Sequence, residues 1–236
     1  EMLRSLVGSE MCIRDRSLII VCCLLMLSGC SYDNYDEPTS VLSGRVVYNG
    51  QALPVKTDGT GFILWQDGYA NKSGITLNIA YDGTFSATLF DGEYKLTRRA
   101  GGPWVDQPAD TVYITVRGNT VVDVPVTPYF TIRDASFQYY DGKVKATFKV
   151  DKVVESANVS RLTLCLGKSI LTDYNKKEAN KTLSNPVISF GEEMTLEADL
   201  GSLAGEEYVF ARVGVRAAQS SNSEFVYSLP VKVMIR

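Results

Sequence analysis

The chain has 236 residues with 24 basic and 27 acidic side chains, a formal net charge of −3, and no histidine. The nearly neutral sequence contains no stripe rich in lysine and arginine. It therefore lacks the electrostatic footprint of a nucleic-acid-binding protein, and no nucleic-acid partner is expected. Without histidine, the chain cannot form a Ser-His-Asp triad, a Cys-His pair or a histidine-ligated zinc site.

The first residues, 1–16, do not resemble a natural N-terminus. Position 1 is Glu rather than Met, and the string from Val7 to Asp15 resembles translated sequencing-adapter sequence. We therefore expect residues 1–16 to be a non-native or artefactual leader, and we leave them out of the fold prediction.

Residues 17–29 contain a short apolar run, from Leu18 to Leu27, that ends in small residues. The run is too short to span a bilayer and is typical of a signal-peptide core. Cys30 directly follows Leu-Ser-Gly, as in the lipobox of bacterial lipoproteins, which makes Cys30 the predicted lipidation site. Ordinary secretory cleavage beside a chance cysteine is the alternative.

Residues 30–40 form an acidic tether that includes Asp33, Asp36 and Glu37. This stretch resembles the signal that directs lipoproteins of the Bacteroides group to the outer face of the outer membrane, and a plain solvated tether is the alternative. We expect a protein held in the outer membrane by its lipid anchor and facing the cell exterior.

From Val41 onward, apolar and polar residues alternate with a period of two, interrupted by glycine-containing turns. This pattern predicts an all-β fold of antiparallel strands joined by tight turns. The strands predicted in residues 41–127 are Val41–Tyr48, Gly61–Trp65, Ile75–Tyr81, Thr84–Leu89, Glu93–Arg98, Thr111–Val116 and Val121–Val126. The predicted turn pairs are Asn49-Gly50, Asp82-Gly83, Asp91-Gly92 and Gly118-Asn119.

Pro125 and Pro128 cannot donate to a sheet ladder, so we predict a domain junction near Thr127. A second β-sandwich is expected over residues 128–236, with a surface crossover at Thr172–Leu183. Its predicted strands are Thr131–Tyr139, Lys143–Val150, Ser160–Leu166, Val187–Phe190, Met194–Leu200, Glu207–Ala217 and Phe225–Ile235. The fold class predicted for the mature chain is two tandem antiparallel β-sandwich domains.

Several segments carry a resemblance to known families. Ser43–Gly50 with Leu53-Pro54, Tyr81–Phe85 and Phe90–Leu96 resemble the carboxypeptidase-regulatory or transthyretin-like sandwich. With the lipobox, Tyr35–Pro38, Leu64–Tyr69 and Gly102–Trp104 added, nearly all of the mature chain resembles a two-domain Bacteroides-group lipoprotein family of unknown function.

That family is associated with SusC/SusD-type glycan importers. The resemblance implies a transthyretin-like first domain over 41–127 and an immunoglobulin- or fibronectin-like second domain over 128–236. It also implies a role in handling complex glycans at the cell surface. It identifies no binding residues.

Glycan binding would use aromatic rings as platforms for the C–H faces of sugars, with polar side chains beside them. Trp104 follows a rigid Gly-Gly-Pro turn, so the predicted glycan-binding residues are Trp104, Asp106, Gln107 and Tyr69. Trp65 ends the continuous apolar run Phe62–Trp65 and is predicted to be a core residue. The face that carries Tyr208 and Phe210, beside Arg212, is expected either to bind ligand or to pack on the first domain.

No catalytic residues, cofactor or metal site are predicted. A glycosidase needs two carboxylates across a sugar, but most carboxylates here lie in Asp-Gly turns, and the acidic tether lacks the spaced ligands of an EF-hand. Cys165 lies in an apolar strand without a motif that stabilises a thiolate. We expect a non-catalytic glycan-binding or importer-accessory protein. The alternative is a structural or adhesion-type protein-interaction module on the outer membrane.

Overall fold

The computed structural model describes residues 36–68, 73–107, 110–221 and 223–236. The predictions for the leader, the signal peptide, Cys30 and Tyr69 lie outside these residues. Residues Pro38–Arg236 form one compact unit. In the described part of the chain, one 3₁₀ turn, Gly201–Leu203, accompanies the strands, and no helix there is long and apolar enough to cross a membrane.

The all-β prediction is confirmed. The first half contains β1 (Ser40–Tyr48), β2 (Gln51–Ala52), β3 (Phe62–Trp65), β4 (Ile75–Leu77), β5 (Thr84–Leu89), β6 (Gly92–Arg98), β7 (Val112–Val116) and β8 (Asn119–Pro125). The second half contains β9 (Phe130–Tyr140), β10 (Lys143–Lys152), β11 (Val159–Gly167), β12 (Ala179–Ser184), β13 (Glu193–Asp199), β14 (Tyr208–Ala217), β15 (Val226–Tyr227) and β16 (Val231–Met234).

The first half folds into two sheets. One has the order β2-β1-β5 with β8 also paired to β1, and the other has the order β4-β3-β6-β7. Phe62 of β3 packs edge-on against Phe85 of β5 with ring centroids 5.5 Å apart, which joins the inner faces of the two sheets. β8 runs parallel to β1, so the prediction of purely antiparallel pairing is corrected at this pair. The chain passes through β6 and β7 of the other sheet before it returns, and such a crossover permits parallel pairing.

The second half also has two sheets, ordered β13-β10-β9 and β12-β11-β14-β15, with β16 paired to β14. Along β10 the lysines at 143, 145 and 149 are partly exposed, whereas Val144, Ala146, Phe148 and Val150 are fully buried. This alternation puts one face of the strand in the core and the other in water, as its sequence predicts.

Four predicted segments differ from the structure. The predicted strand Ile75–Tyr81 ends at Leu77. The predicted crossover Thr172–Leu183 overlaps β12, an edge strand whose lysine and asparagine residues protect its unpaired side. The predicted strand Val187–Phe190 is irregular, and Pro186 precedes it. The predicted strand Phe225–Ile235 is divided into β15 and β16 because Pro230, between them, has no N–H to donate.

Glycine-containing hairpin turns connect neighbouring strands. Asn49 and Gly50 between β1 and β2 have φ values of 50° and 77°, and Asp141 and Gly142 between β9 and β10 have values of 44° and 73°. Two successive positive φ angles characterise the type I′ turn, whose twist matches that of the flanking strands. The Asn49-Gly50 prediction therefore agrees with the observed backbone.

The named strands of each half pair only with one another, yet hydrogen bonds connect the halves. Isolated bridges join Val55 to Val226 and Trp104 to Pro128. In addition, the backbone N–H of Thr60 donates to the buried carboxylate of Glu224 over 3.0 Å. The two sandwiches are thus held against each other by buried polar contacts as well as by the linker.

Among the residues that connect the two halves, Arg212 of β14 is fully buried. Its Nη2 donates to the carbonyl oxygens of Val55 (3.0 Å) and Tyr81 (2.6 Å) in the first half, and its Nε donates to that of Ser228 (2.8 Å). The guanidinium carbon lies 4.3 Å from the ring centroid of Tyr227. Burial lowers the pKa of Arg212 to about 10, which leaves the group charged at neutral pH.

Candidate functional site

The predicted platform at Trp104 is wrong, because the residue is only 1% exposed. Its indole stacks on Phe62 with centroids 6.4 Å apart. A Cβ at Gly102 would lie 2.8 Å from Trp104 Cε2, so the Gly-Gly-Pro turn packs directly on the ring. The glycines at this turn allow the loop to cover the tryptophan rather than present it to solvent.

The glycan-binding role predicted for Asp106 and Gln107 required an exposed Trp104 ring beside them, and that ring is buried. Asp106 Oδ1 accepts a hydrogen bond from the Gly101 backbone N–H over 2.9 Å, which closes its own turn. Gln107 is half-buried, and its Oε1 has no hydrogen-bond partner among the described residues. Tyr69, the fourth predicted residue, lies outside the described residues.

Trp65 was expected in the core, and this prediction is also wrong. Its side chain is 37% exposed, whereas Phe62 and Leu64 of the same strand are fully buried. Successive side chains of a strand point to opposite faces, so the apolar run Phe62–Trp65 sends two residues inward and two outward. Trp65 therefore belongs to the outer face of the sheet β4-β3-β6-β7.

A row of three side chains crosses that outer face. Trp65 of β3 pairs with Lys95 of β6, and Lys95 pairs with Tyr113 of β7. Directly paired residues in antiparallel strands project from the same face of a sheet. Tyr113 is 74% exposed, more than any other aromatic residue in the described part of the chain. The pairing thus brings two exposed aromatic rings to one surface with a lysine between them, which we call the aromatic row.

Contacts at two opposite edges of the indole fix the position of the Trp65 ring on the sheet. Its Nε1 donates to Thr97 Oγ1 over 2.9 Å. On the other side, a Cβ at Gly74 would lie 3.3 Å from Cε3 and Cζ3 of the ring and 2.1 Å from Ile63 Cγ2. Gly74 therefore provides the space in which the ring and Ile63 lie. A ring fixed in this way loses little conformational entropy when a ligand stacks on it.

Polar groups surround the two rings. Lys95 Nζ donates to Asp67 Oδ2 over 2.5 Å, and this carboxylate raises the pKa of Lys95. Glu93 accepts a hydrogen bond from Thr115 Oγ1 over 2.8 Å. Between these side chains and Tyr113 lies a shallow hollow of about 150 Å³. The row therefore combines apolar ring faces with donors and acceptors, as recognition of a polyhydroxylated ligand requires.

The aromatic pair predicted on β14 is less accessible. Tyr208 and Phe210 are half-buried and pack edge-to-face with centroids 5.8 Å apart. Lys232 Nζ lies 3.8 Å from the ring centroid of Tyr208 and covers it. Arg212, on the same side of β14, contacts the first domain through its hydrogen bonds to Val55 and Tyr81.

Two hollows of more than twice the volume of the one beside the aromatic row lie elsewhere but offer no exposed aromatic ring among their described lining residues. A groove of about 790 Å³ runs over β1, β5 and β8 beside the Arg45–Asp123 ion pair. A cleft of about 400 Å³ separates the β1–β2 hairpin from β9 and β10. Size alone does not identify a binding site, and the chemistry of the aromatic row is the more specific feature.

Among the described residues, no cluster of three or more Asp, Glu, His or Cys side chains could hold a metal ion. Cys165 is fully buried in β11, and burial raises the pKa of its thiol to about 11. The thiolate is the nucleophilic form, so this pKa disfavours reactivity at neutral pH.

The fold and the surface define a class: a tandem of two β-sandwich domains with an aromatic row on the outer face of the first. The N-terminal domain described as "Protein of unknown function (DUF3823)" matches residues 40–127, and the C-terminal domain of that family matches residues 130–232. The chain belongs to the DUF3823 family. The prediction of a two-domain Bacteroides family of unknown function is thus confirmed.

Solved structures of relatives share this fold. A DUF3823 protein from Bacteroides ovatus is 45% identical with a TM-score of 0.78, and one from Parabacteroides merdae is 36% identical with a TM-score of 0.76. A "putative carbohydrate binding protein" from Bacteroides uniformis, 16% identical, has a TM-score of 0.70. Each alignment covers 84% of this chain and 100% of the relative. No curated protein matches the sequence.

Proposed function

We propose that this protein is a non-catalytic glycan-binding protein of the cell surface. The observation that carries the proposal is the aromatic row, in which the exposed rings of Trp65 and Tyr113 flank Lys95 on one sheet face. Aromatic rings stack on the C–H faces of sugars, and the neighbouring carboxylates, ammonium and hydroxyls can hydrogen-bond sugar hydroxyls. The distant Bacteroides uniformis relative, whose description refers to carbohydrate binding, gives independent support.

Affinity gel electrophoresis against a panel of soluble polysaccharides tests this proposal. We expect at least one polysaccharide to retard the protein. We expect Trp65→Ala and Tyr113→Ala each to weaken that binding by about fivefold or more, because anchoring aromatic side chains typically contribute over 1 kcal/mol. Tyr139→Ala is the matched control: Tyr139 is 40% exposed but lies on β9 of the second domain. Its affinity should equal that of the unaltered protein.

Two results would contradict the proposal. If no polysaccharide binds, the alternative of a structural or adhesion-type interaction module replaces it. If a polysaccharide binds but the Trp65 and Tyr113 variants behave like the Tyr139 control, glycan binding occurs elsewhere on the molecule.

Our proposal for the site of action rests on the sequence before Pro38. We propose that Cys30 carries the lipid, that the protein is anchored in the outer membrane, and that Asp33, Asp36 and Glu37 direct it to the cell exterior. Cys30→Ala should release soluble protein. Replacing the three acidic residues with alanine should leave the protein anchored but protected from protease added to intact cells. Unchanged protease accessibility in the acidic variant would refute the export signal.

The family resemblance also supports an importer-accessory role beside a SusC/SusD-type system. Chemical cross-linking on intact cells, followed by mass spectrometry, should then recover the importer subunits with this protein. Recovery of none of them under conditions that cross-link known importer partners would argue against the association.

A further inference from the structure

Two arginines lie directly opposite each other on the second domain. Arg161 of β11 pairs with Arg216 of β14, so both side chains project from the outer face of the same sheet. Both residues are half-buried. Burial and the positive charge of Arg161 lower the pKa of Arg216. Like charges at directly opposite positions destabilise a sheet, so strand pairing does not account for this arrangement.

A third cation lies beside this pair. Lys177 Nζ lies 4.1 Å from the ring centroid of Tyr174, and the guanidinium carbon of Arg161 lies 5.2 Å from the same centroid. Arg161 Nη1 also donates to the Tyr174 hydroxyl over 2.8 Å. That bond occupies one N–H group of a guanidinium that carries several. We call Arg161, Arg216 and Lys177 the basic cluster.

The backbone at the basic cluster is irregular. The register of β11 against β14 shifts between Val159 and Arg161, which leaves Ser160 as the extra residue of a β-bulge. Ser160 Oγ accepts a hydrogen bond from Arg216 Nε over 2.8 Å. Bulges re-aim side chains and are frequent beside functional sites. On the other side of Arg161, its paired residue Ser184 of β12 is exposed and adds a hydroxyl to the same face.

Among the described residues, the carboxylates that neighbour the cluster are balanced by other cations. These pairs of charges are Asp173 with Arg212, Glu178 with Lys168, Glu224 with Lys56 and Asp58 with Lys176. Asn222, the one residue of 110–236 outside the described ranges, carries no charge. Glu155 is exposed in the turn before β11, and its charge counted against the three cations still leaves a formal charge of +2.

From these observations we propose that the basic cluster binds the carboxylate or sulfate group of an acidic sugar. The planar guanidinium fork matches such oxyanions in two-point hydrogen bonds, and an anion held between Arg161 and Arg216 offsets their mutual repulsion. Residues that break a local rule of stability are expected at functional sites. The inference rests on the proposed function for its sugar ligand, and it adds a charge-selective site on the second domain, separate from the aromatic row.

Sodium sulfate tests the cluster without any sugar. In ¹H–¹⁵N spectra of the full-length protein, the Nε–H resonances of Arg161 and Arg216 should shift to saturation with sulfate but not with NaCl of equal ionic strength. The Arg45 resonance is the matched control, because Arg45 is paired with Asp123 on the first domain. Equal shifts of all three resonances without saturation would overturn the site.

Affinity gel electrophoresis of the full-length protein tests the sugar. Polygalacturonate and alginate are each compared with their carboxyl-reduced derivatives, and dextran sulfate is compared with dextran, so that the backbone is constant within each pair. We expect at least one charged polymer to bind about tenfold more tightly than its neutral partner at low salt, because hydrogen bonds to charged groups are strong. The difference should shrink in 0.5 M NaCl, because salt screens interactions between exposed charges.

Substitution then assigns this preference to the cluster. Arg161→Gln should remove most of the preference, and Arg161→Lys should retain part of it, because lysine keeps the charge without the fork. Lys177→Gln changes a loop residue instead of a strand residue and should also reduce the preference. Arg45→Gln is the matched control and should bind every polymer like the unaltered protein. A preference that persists in both Arg161→Gln and Lys177→Gln, or that falls equally in Arg45→Gln, would overturn the inference.

Poly-L-glutamate tests an acidic protein segment as the ligand. Binding of this peptide as tight as that of the best acidic polysaccharide would overturn the assignment to a sugar. The neutral polymers test the aromatic row separately, and Arg161→Gln should bind them as before. If only acidic polymers bind, and they do so through Arg161, the aromatic row is refuted and the basic cluster is supported. If only neutral polymers bind, the basic cluster is refuted and the proposed function stands.

Discussion

At the scale of single residues, the two tryptophans exchange the roles that their sequence contexts suggest. Trp104, in a glycine-rich loop, is 1% exposed, and Trp65, in an apolar strand, is 37% exposed. Loop composition is a poor guide to exposure when a glycine allows the backbone to approach a ring. Conversely, the end of an apolar run is a poor guide to burial, because strand parity decides which face a side chain occupies.

The exchange leads to a stability prediction. Trp104→Ala should lower the free energy of unfolding by about 3–5 kcal/mol, because it removes a buried aromatic side chain and leaves a cavity. Trp65→Ala should lower it by less than about 1.5 kcal/mol, since the ring is already partly hydrated and gives up only one hydrogen bond, to Thr97. Urea denaturation followed by circular dichroism measures both values. A larger loss in Trp65→Ala than in Trp104→Ala would contradict these assignments.

Cys165 provides a second prediction at this scale. Its burial and raised pKa, about 11, should make the thiol unreactive toward DTNB at pH 8 in native protein and reactive within seconds in 6 M guanidinium chloride. Protein beginning at Pro38 is suitable because it lacks the earlier cysteines. Rapid labelling of the native protein would show that β11 opens locally, independently of global unfolding.

At the scale of elements, β1 is the centre of the first domain because three other strands pair with it. Gly44 lies in the middle of β1, opposite Phe85 on β5 and Val122 on β8. A Cβ at this position would lie 1.7 Å from the carbonyl oxygen of Val122. The parallel pair therefore depends on a residue without a side chain, for reasons of space rather than backbone conformation.

Gly44→Ala should consequently destabilise the protein by about 1–3 kcal/mol or more, because β1 and β8 must separate to admit the methyl group. Gly205→Ala is the matched control, since a Cβ there would meet nothing within 4 Å. Thermal melts of the two variants decide the matter. Equal melting temperatures would show that the β1–β8 pair tolerates the change and that its close approach is not a constraint.

At the scale of the whole molecule, the two sandwiches form one unit. The sequence predicts a junction near Thr127, and strand pairing does change between β8 and β9. However, Arg212 of the second domain binds two carbonyl oxygens of the first from a fully buried position. Contacts of this kind couple the stability of one domain to that of the other, which favours a single unfolding transition.

Arg212→Met tests the coupling, because methionine keeps an unbranched apolar stem but cannot donate hydrogen bonds. We expect a loss of about 2–5 kcal/mol from the carbonyl oxygens left without their donor. Calorimetry should then resolve two transitions in place of one. Arg45→Met, which removes an exposed ion pair with Asp123, should cost less than about 1 kcal/mol and retain one transition. Two transitions in the unaltered protein would refute the coupling.

The sequence by itself determined the all-β class, most strand positions and the Asn49-Gly50 turn, because period-two alternation and left-handed turn residues are local properties. The alternation of Tyr113 and Thr115 with the aliphatic residues of β7 is also a local property, whereas the continuous apolar run Phe62–Trp65 wrongly predicted a buried Trp65. The position of Trp65 and Tyr113 on one face was not predictable, since it depends on the register of β3, β6 and β7. Likewise, the burial of Trp104, the parallel β1–β8 pair and the contacts of Arg212 arise between residues distant in sequence. Only the tertiary structure decides such contacts, because they are set by how sheets and domains pack rather than by any local pattern.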